Sequence, residues 1–201
     1  MRCSPSDPER HGAGRGARWW RALLFALAIV TTAAGLPAHA GNITSNHAAL
    51  TFDEDGASLG ADFTIVLGQR LEDALQHGIV LAFKLELVLE RPREYWVAEH
   101  IATRLWRYRL SYSSLTRQYR VAFGKLQRDY ATLEEALAAI GRVGALPVAE
   151  PSALRPATTY DVALRLSLDR SQLPKPFQLD ALTNAEWQVD TATLNWQVKS
   201  P

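Results

Sequence analysis

The twelve residues from Ile79 to Glu90 leave the chain few folding options. Ile79, Leu81, Phe83, Leu85, Leu87 and Leu89 fall at every second position, with Val80, Ala82, Lys84, Glu86, Val88 and Glu90 between them. A period of two puts the first set on one side of an extended strand and the second on the other. A helix, turning about 100° per residue, would scatter the six apolar side chains around its circumference. The strand therefore needs a second layer over its apolar side, while its charged side faces water. Arg91-Pro92 ends it, because proline has no N–H to give to a ladder.

The same rhythm recurs along the chain. Leu59, Ala61, Phe63, Ile65 and Leu67 alternate with polar residues after Leu50 and Phe52, and Asp55-Gly56 is a favoured hairpin turn. Trp106, Tyr108, Leu110 and Tyr112 oppose Leu105, Arg107, Arg109 and Ser111, and Tyr119, Val121 and Phe123 oppose Gln118, Arg120 and Ala122. These two runs predict a hairpin with aromatic packing on one side. Tyr160 to Leu168 is a further alternating strand, and Glu186 to Val198 closes the chain as one strand or a bent pair, with Trp187, Val189, Leu194, Trp196 and Val198 inward.

Two helices interrupt the strands. Leu71 and Leu75 share a face over Gln69–His77, with Gly78 placed to stop the helix. Thr132-Leu133-Glu134-Glu135 is a capping box, followed by Leu133, Leu137 and Ile140 on one face. Asn42 to Asn46 reads as a short mobile segment, residues 145–158 as a polar connection, and Leu173-Pro174-Lys175-Pro176-Phe177 as an extended loop. The expected fold class is mainly β. It is an antiparallel β-sandwich or strongly curved sheet of seven or eight strands with two short helices. Helices do not alternate regularly with strands, which argues against a doubly wound parallel sheet.

The first forty residues differ in kind. Arg10, Arg15, Arg18 and Arg21 lead into an apolar run from Ala22 to Ala34, then Gly35, Pro37 and Ala38-His39-Ala40. A basic segment, a short apolar segment and small residues at −3 and −1 make a secretory signal with cleavage expected after Ala40. The run is shorter than the roughly 20 residues of a membrane span. Gly41 in place of cysteine gives no lipid attachment, and Arg18 and Arg21 form no twin-arginine pair. Residues 1–40 are thus read as a signal peptide and 41–201 as a single β-rich domain, periplasmic or secreted. Cys3 is the only cysteine, so the mature chain holds neither a disulfide nor a cysteine metal site. The leader carries five arginines and two acids. Without it 17 basic side chains face 19 acidic ones, net −2, a balance that speaks against nucleic-acid partners.

Three stretches carry a family resemblance: Arg70-Leu71-Glu72-Asp73-Ala74-Leu75 running into Gly78, Tyr108-Arg109-Leu110-Ser111-Tyr112 with Leu115-Thr116-Arg117-Gln118-Tyr119-Arg120, and Gln172-Leu173-Pro174-Lys175-Pro176. Together with the leader they resemble the proteobacterial domain-of-unknown-function family numbered 4390, over nearly the whole mature chain. The resemblance implies export, a shared fold and a signalling partner at the membrane; it implies no reaction.

Reactive constellations are scarce. The mature chain has no Gly-x-Ser-x-Gly, no phosphate loop and no catalytic cysteine, and no catalytic residue or cofactor is assigned. His47, His77 and His100 are isolated, and Asp53-Glu54-Asp55 lacks the ligand spacing of a calcium loop, so no metal site is assigned either. One cluster stands out. Arg104, Arg107, Arg109, Arg117, Arg120, Lys125 and Arg128 occupy a span without a single acid. If the hairpin pairs as predicted, Arg107, Arg109 and Arg120 share its outer face and can grip carboxylate or phosphate bidentately. The plain alternative is a solvated strand face that resists edge pairing, neutralised across strands by Glu86 and Glu90.

These features point to a non-enzymatic periplasmic binding or interaction module. Its partner would be an anionic envelope component or a periplasmic or membrane protein, met through Arg107, Arg109 and Arg120. The alternatives are an enzyme acting on an envelope component and a structural or chaperone-like envelope protein. Intact-mass measurement of the protein recovered from the periplasm or medium should give the mass of residues 41–201. The mass of the full chain would contradict the leader assignment.

Overall fold

The computed structural model describes residues 41–93 and 97–201. The predicted leader and residues 94–96 lie outside the described residues. Strand β3 (Leu81–Arg91) realises the alternation read above. Leu81, Phe83, Leu85, Leu87 and Leu89 are wholly buried, and Lys84, Glu86, Val88 and Glu90 are half-exposed on the other face. β3 is paired along both edges. On one side β4 (Glu99–Ser113) runs antiparallel to it, from Leu81 opposite Leu110 to Arg91 opposite Glu99. On the other, β8 (Thr159–Leu168) runs antiparallel from Phe83 opposite Leu168 to Glu90 opposite Asp161.

β4 extends beyond β3 to pair with β5 (Gln118–Phe123), which pairs with β6 (Leu126–Tyr130), and β9 (Leu194–Lys199) lies outside β8. The larger sheet therefore has the order β6-β5-β4-β3-β8-β9. A second sheet holds β1 (Asn42–Asp53), β2 (Gly56–Val66) and β7 (Arg142–Ala149), in the order β1-β2-β7. All these pairings are antiparallel. The apolar faces of both sheets meet in one core. Leu50, Leu59, Phe63 and Ile65 come from the smaller sheet, and the β3 leucines, Tyr160, Leu164 and Leu166 from the larger. This is the mainly antiparallel, sandwich-like class expected. Among the described residues three α-helices complete it, α1 (Gln69–Gln76), α2 (Leu133–Gly141) and α3 (Lys175–Thr183). Among the described residues no helix is long and apolar enough to cross a membrane.

The helix signals hold in detail. Leu71 and Leu75 of α1 are buried, and Gly78, at φ +84°, takes the left-handed backbone that glycine adopts at least cost. The capping box of α2 is complete. The Glu135 amide donates to Thr132 Oγ1 at 3.2 Å, and the Thr132 amide donates to Glu135 Oε2 at 3.4 Å.

Five local expectations are corrected. Asn42–Asn46 is not a loose segment but the start of β1. Its polar side chains face outward while Ile43 is buried opposite Ile65, and a register shift follows between Ser45 and His47. The β1–β2 turn lies one residue earlier than predicted, at Glu54-Asp55, with Asp53 opposite Gly56. Gly56 has φ +116°, and a Cβ there would stand 2.1 Å from the Ala149 carbonyl oxygen. The supposed 145–158 connection begins as strand, its residues up to Ala149 belonging to β7. Two register shifts against β2 space the apolar residues Val143, Leu146 and Val148 unevenly, which hides the period of two, and Pro147 is tolerated because β7 is an edge strand. The stretch Leu173–Phe177 enters a helix. Pro176 falls in the first turn of α3, where the missing N–H costs nothing. Of the segment from Glu186 to Val198, expected as one strand or a bent pair, only the part from Leu194 is strand, as β9. It follows a short turn of 3₁₀ helix at Ala185–Trp187 and a single bridge from Asp190 to Ser167. β6, the strand beyond the seven or eight expected, has four exposed residues in five and so no apolar pattern to read.

Replacing Leu87 by Ala should cost about 2–5 kcal/mol in urea unfolding, the range for a fully buried leucine. Leu126→Ala, at a leucine 72 % exposed on β6, should stay within about 0.5 kcal/mol of the parent.

Candidate functional site

Strand register sets which side chains share the outer face of the six-stranded sheet, the face turned away from the smaller sheet. Lys84 lies beside Arg107, Ala82 beside Arg109, and Ser111 opposite Arg120. Arg107, Arg109 and Arg120 are therefore on one face, all exposed, as the predicted hairpin required. The aromatic side chains Tyr108, Tyr112, Tyr119 and Phe123 pack on the other side. Tyr108 stacks on Phe123 with ring centroids 4.6 Å apart, and burial pushes the Tyr108 hydroxyl pKa up to about 12.

The three arginines differ in how their charge is answered. Arg120 makes a two-pronged pair with Asp129 across the β5–β6 ladder, Nε to Oδ1 at 2.7 Å and Nη2 to Oδ2 at 3.0 Å. That contact holds the Asp129 carboxyl below the usual carboxylate range and raises the Arg120 guanidinium. Arg107 Nε stands 3.8 Å from Asp169 Oδ2. Arg109 makes no ion pair among the described residues. The acids expected to neutralise the face are engaged elsewhere. Glu86 accepts from Lys84 Nζ at 3.2 Å, and Glu90 lies 3.9 Å from His100 Nδ1. Beside the arginines the surface is concave. A depression of about 440 Å³ is bordered by Ala82, Leu105, Arg107, Arg109, Ala122 and Gln172.

A larger groove, about 620 Å³, opens where β8 leaves the sheet. Its floor is the outer face of Lys84, Arg165 and Ser167, and its walls are the Asp169–Ser171 turn, α3 and the segment Trp187–Asp190. Arg165 is paired with Asp190, and Asp169 Oδ1 accepts from the Ser171 amide at 3.2 Å and from its hydroxyl at 2.6 Å. Ser167 is 5 % exposed, and its hydroxyl has no hydrogen-bond partner among the described residues.

The other polar candidates stay apart. His47 is on β1, His77 caps α1 with Nδ1 2.6 Å from the Asp73 carbonyl, and His100 is on β4. Asp53 Oδ1 accepts from the Asp55 amide at 3.0 Å, an arrangement that closes the hairpin turn on itself. Among the described residues no three His, Cys, Asp or Glu side chains converge as metal ligands would.

The family model described as Domain of unknown function (DUF4390) matches residues 40–197, nearly all of the described chain. The chain belongs to the DUF4390 family. Nothing among the curated proteins or the solved structures matches it. The first of the stretches that carried the resemblance anchors a distant helix in this DUF4390 protein. Arg70 of α1 donates through Nε and Nη2 to Asp180 Oδ2 of α3, at 3.2 and 2.6 Å, and its Nη1 lies 3.7 Å from Glu186. The Trp187 indole N–H donates to the same Asp180 oxygen at 2.8 Å, and the Arg70 guanidinium sits 5.9 Å from the Trp187 ring centre. This clamp fixes α3 as a wall of the groove. Sequence reading missed it, since 110 residues separate Arg70 from Asp180 and no motif links them.

Hydrogen bonds from Arg70 and then Trp187 hold the Asp180 carboxyl below its ordinary range, and Arg93 with Arg91 does the same for Glu99. Carboxyls depressed in the folded chain stabilise it fully above their unfolded pKa, near pH 4, and lose that contribution as pH falls through their folded values. Urea unfolding of the DUF4390 protein should be flat in midpoint from pH 7 to about 5 and drop below about 4. Asp180→Asn should lower the midpoint at pH 7 and flatten the acid limb.

Proposed function

We propose that this DUF4390 protein is a non-enzymatic binding module working outside the cytoplasm, in the periplasm or secreted, with residues 41–201 as its single functional domain. The partner is an anionic envelope component or an acidic surface on a periplasmic or membrane protein. An uncovered sheet face is by itself common in antiparallel sheets. The observation that carries the reading is narrower. Arg109 is exposed, answers no acid among the described residues, and borders a concavity together with Arg107. A guanidinium offers five N–H donors in a planar fork that suits carboxylate and phosphate oxygens. Half-exposed Ala122 and exposed Leu105 supply apolar contact between the charges. Arg120 plays a lesser part, because Asp129 already occupies its fork.

Arg107→Glu with Arg109→Glu should abolish most capture of the cross-linked envelope partner in a pull-down, at an unchanged melting temperature. Capture by the parent should weaken as salt rises from 50 to 500 mM, since the screening length between exposed charges falls from roughly 14 Å to about 4 Å over that range. Equal capture by parent and double variant would end the assignment. Arg120→Glu, by contrast, should lower stability through loss of the Asp129 pair more than it lowers capture.

A further inference from the structure

Ser167 is an anomaly of β8. A buried hydroxyl normally finds a partner, and leaving one unmet is destabilising. Here Ser167 is 5 % exposed as a residue, its hydroxyl oxygen is buried with no partner among the described residues, and it lines the 620 Å³ groove. Directly opposite it on β3 stands Lys84, and two residues back along β8, on the same face, stands Arg165. Lys84 spends one donor on Glu86 and Arg165 one on Asp190, so both keep N–H groups to give. The nearby negative charge is already engaged, with Asp190 held by Arg165 and Asp169 by Ser171 and Arg107. The floor thus carries three donor-bearing side chains on neighbouring strand positions and suits a ligand rich in acceptors.

The wall presents the opposite chemistry. Leu179 and Leu182, three residues apart on α3, are 71 % and 78 % exposed and border the same groove. Leucines spaced by three lie along one side of a helix. We infer that this groove binds an anionic amphiphile, its carboxylate or phosphate head on Ser167, Lys84 and Arg165 and its alkyl chain along Leu179 and Leu182. The volume falls within the usual range for small-molecule sites, about 300–1,000 Å³. Charge complementarity selects the head, and the exposed leucines select the tail. The site is separate from the depression at Arg107 and Arg109 and does not depend on it for its ligand.

Protein expressed from the full-length sequence, purified without detergent, can be titrated calorimetrically with dodecanoate and with dodecyl phosphate below their micellar concentrations. Dodecan-1-ol and inorganic phosphate serve as the tail-only and head-only probes. The expected result is saturable one-to-one binding of at least one amphiphile, and which of the two binds tighter identifies the head. Ser167→Val and Lys84→Gln should each weaken it about tenfold, the value of one hydrogen bond to a charged group. Leu179→Asn with Leu182→Asn, both at exposed positions that leave the core untouched, should weaken it at least as much. Ser167→Val should not lower the melting temperature, because it removes an unmet polar group. Four outcomes overturn the proposal: no amphiphile binding up to 1 mM, dodecan-1-ol binding as well as the amphiphiles, phosphate binding as well as they do, or parent-like affinity in the leucine double variant.

Discussion

The burial of one strand between two others governs the rest of this molecule. β3 places five apolar side chains in the core without remainder, and both its backbone edges are taken, by β4 and by β8. A strand so placed has one admissible register, because a slip of one residue would turn Lys84, Glu86 and Glu90 into the core and the leucines into water. Once β3 is fixed, the outward positions of β4 and β8 are fixed with it. Lys84 must neighbour Arg107 on one side and Ser167 on the other. Both candidate sites are thus consequences of core registry, built from side chains the core rejects.

Legibility in the sequence followed physical cause. β3, β4, β5 and β8 were readable because each has one buried and one wet face, which leaves a period of two. The α2 start was readable because a capping box is local chemistry among four residues. β7 was hidden by its two register shifts, β6 by exposure on both faces, and the start of β1 by its run of polar residues, of which Asn46 bonds through its side chain to Asp62 and Thr64 of β2. α3 was obscured by prolines that look like loop signals but sit in the one turn of a helix that tolerates them.

The site was legible to a similar depth. The arginines Arg107, Arg109 and Arg120 could be placed on one face from alternation alone. Their counter-charges could not, because Asp129 lies on a strand with no sequence signal and Asp169 on a turn after β8. The groove was out of reach altogether. It needs Lys84 from β3, Ser167 from β8 and Leu182 from α3 to meet, and its decisive feature is a missing hydrogen bond, which no pattern of letters records.

The chain passes between its two sheets three times: through α1 from β2 to β3, through α2 from β6 to β7, and along the segment from β7 to β8. At the second passage Gly141 leaves no slack, since a Cβ there would come within 2.1 Å of the Phe63 carbonyl oxygen. At the first, Arg70 ties α1 to α3 through Asp180. Layers joined only by grease can slide over one another like cards. Two of these crossings are riveted instead, one by bare backbone touching backbone and one by a charged bolt, so the stack resists sideways shear where a merely oily interface would creep.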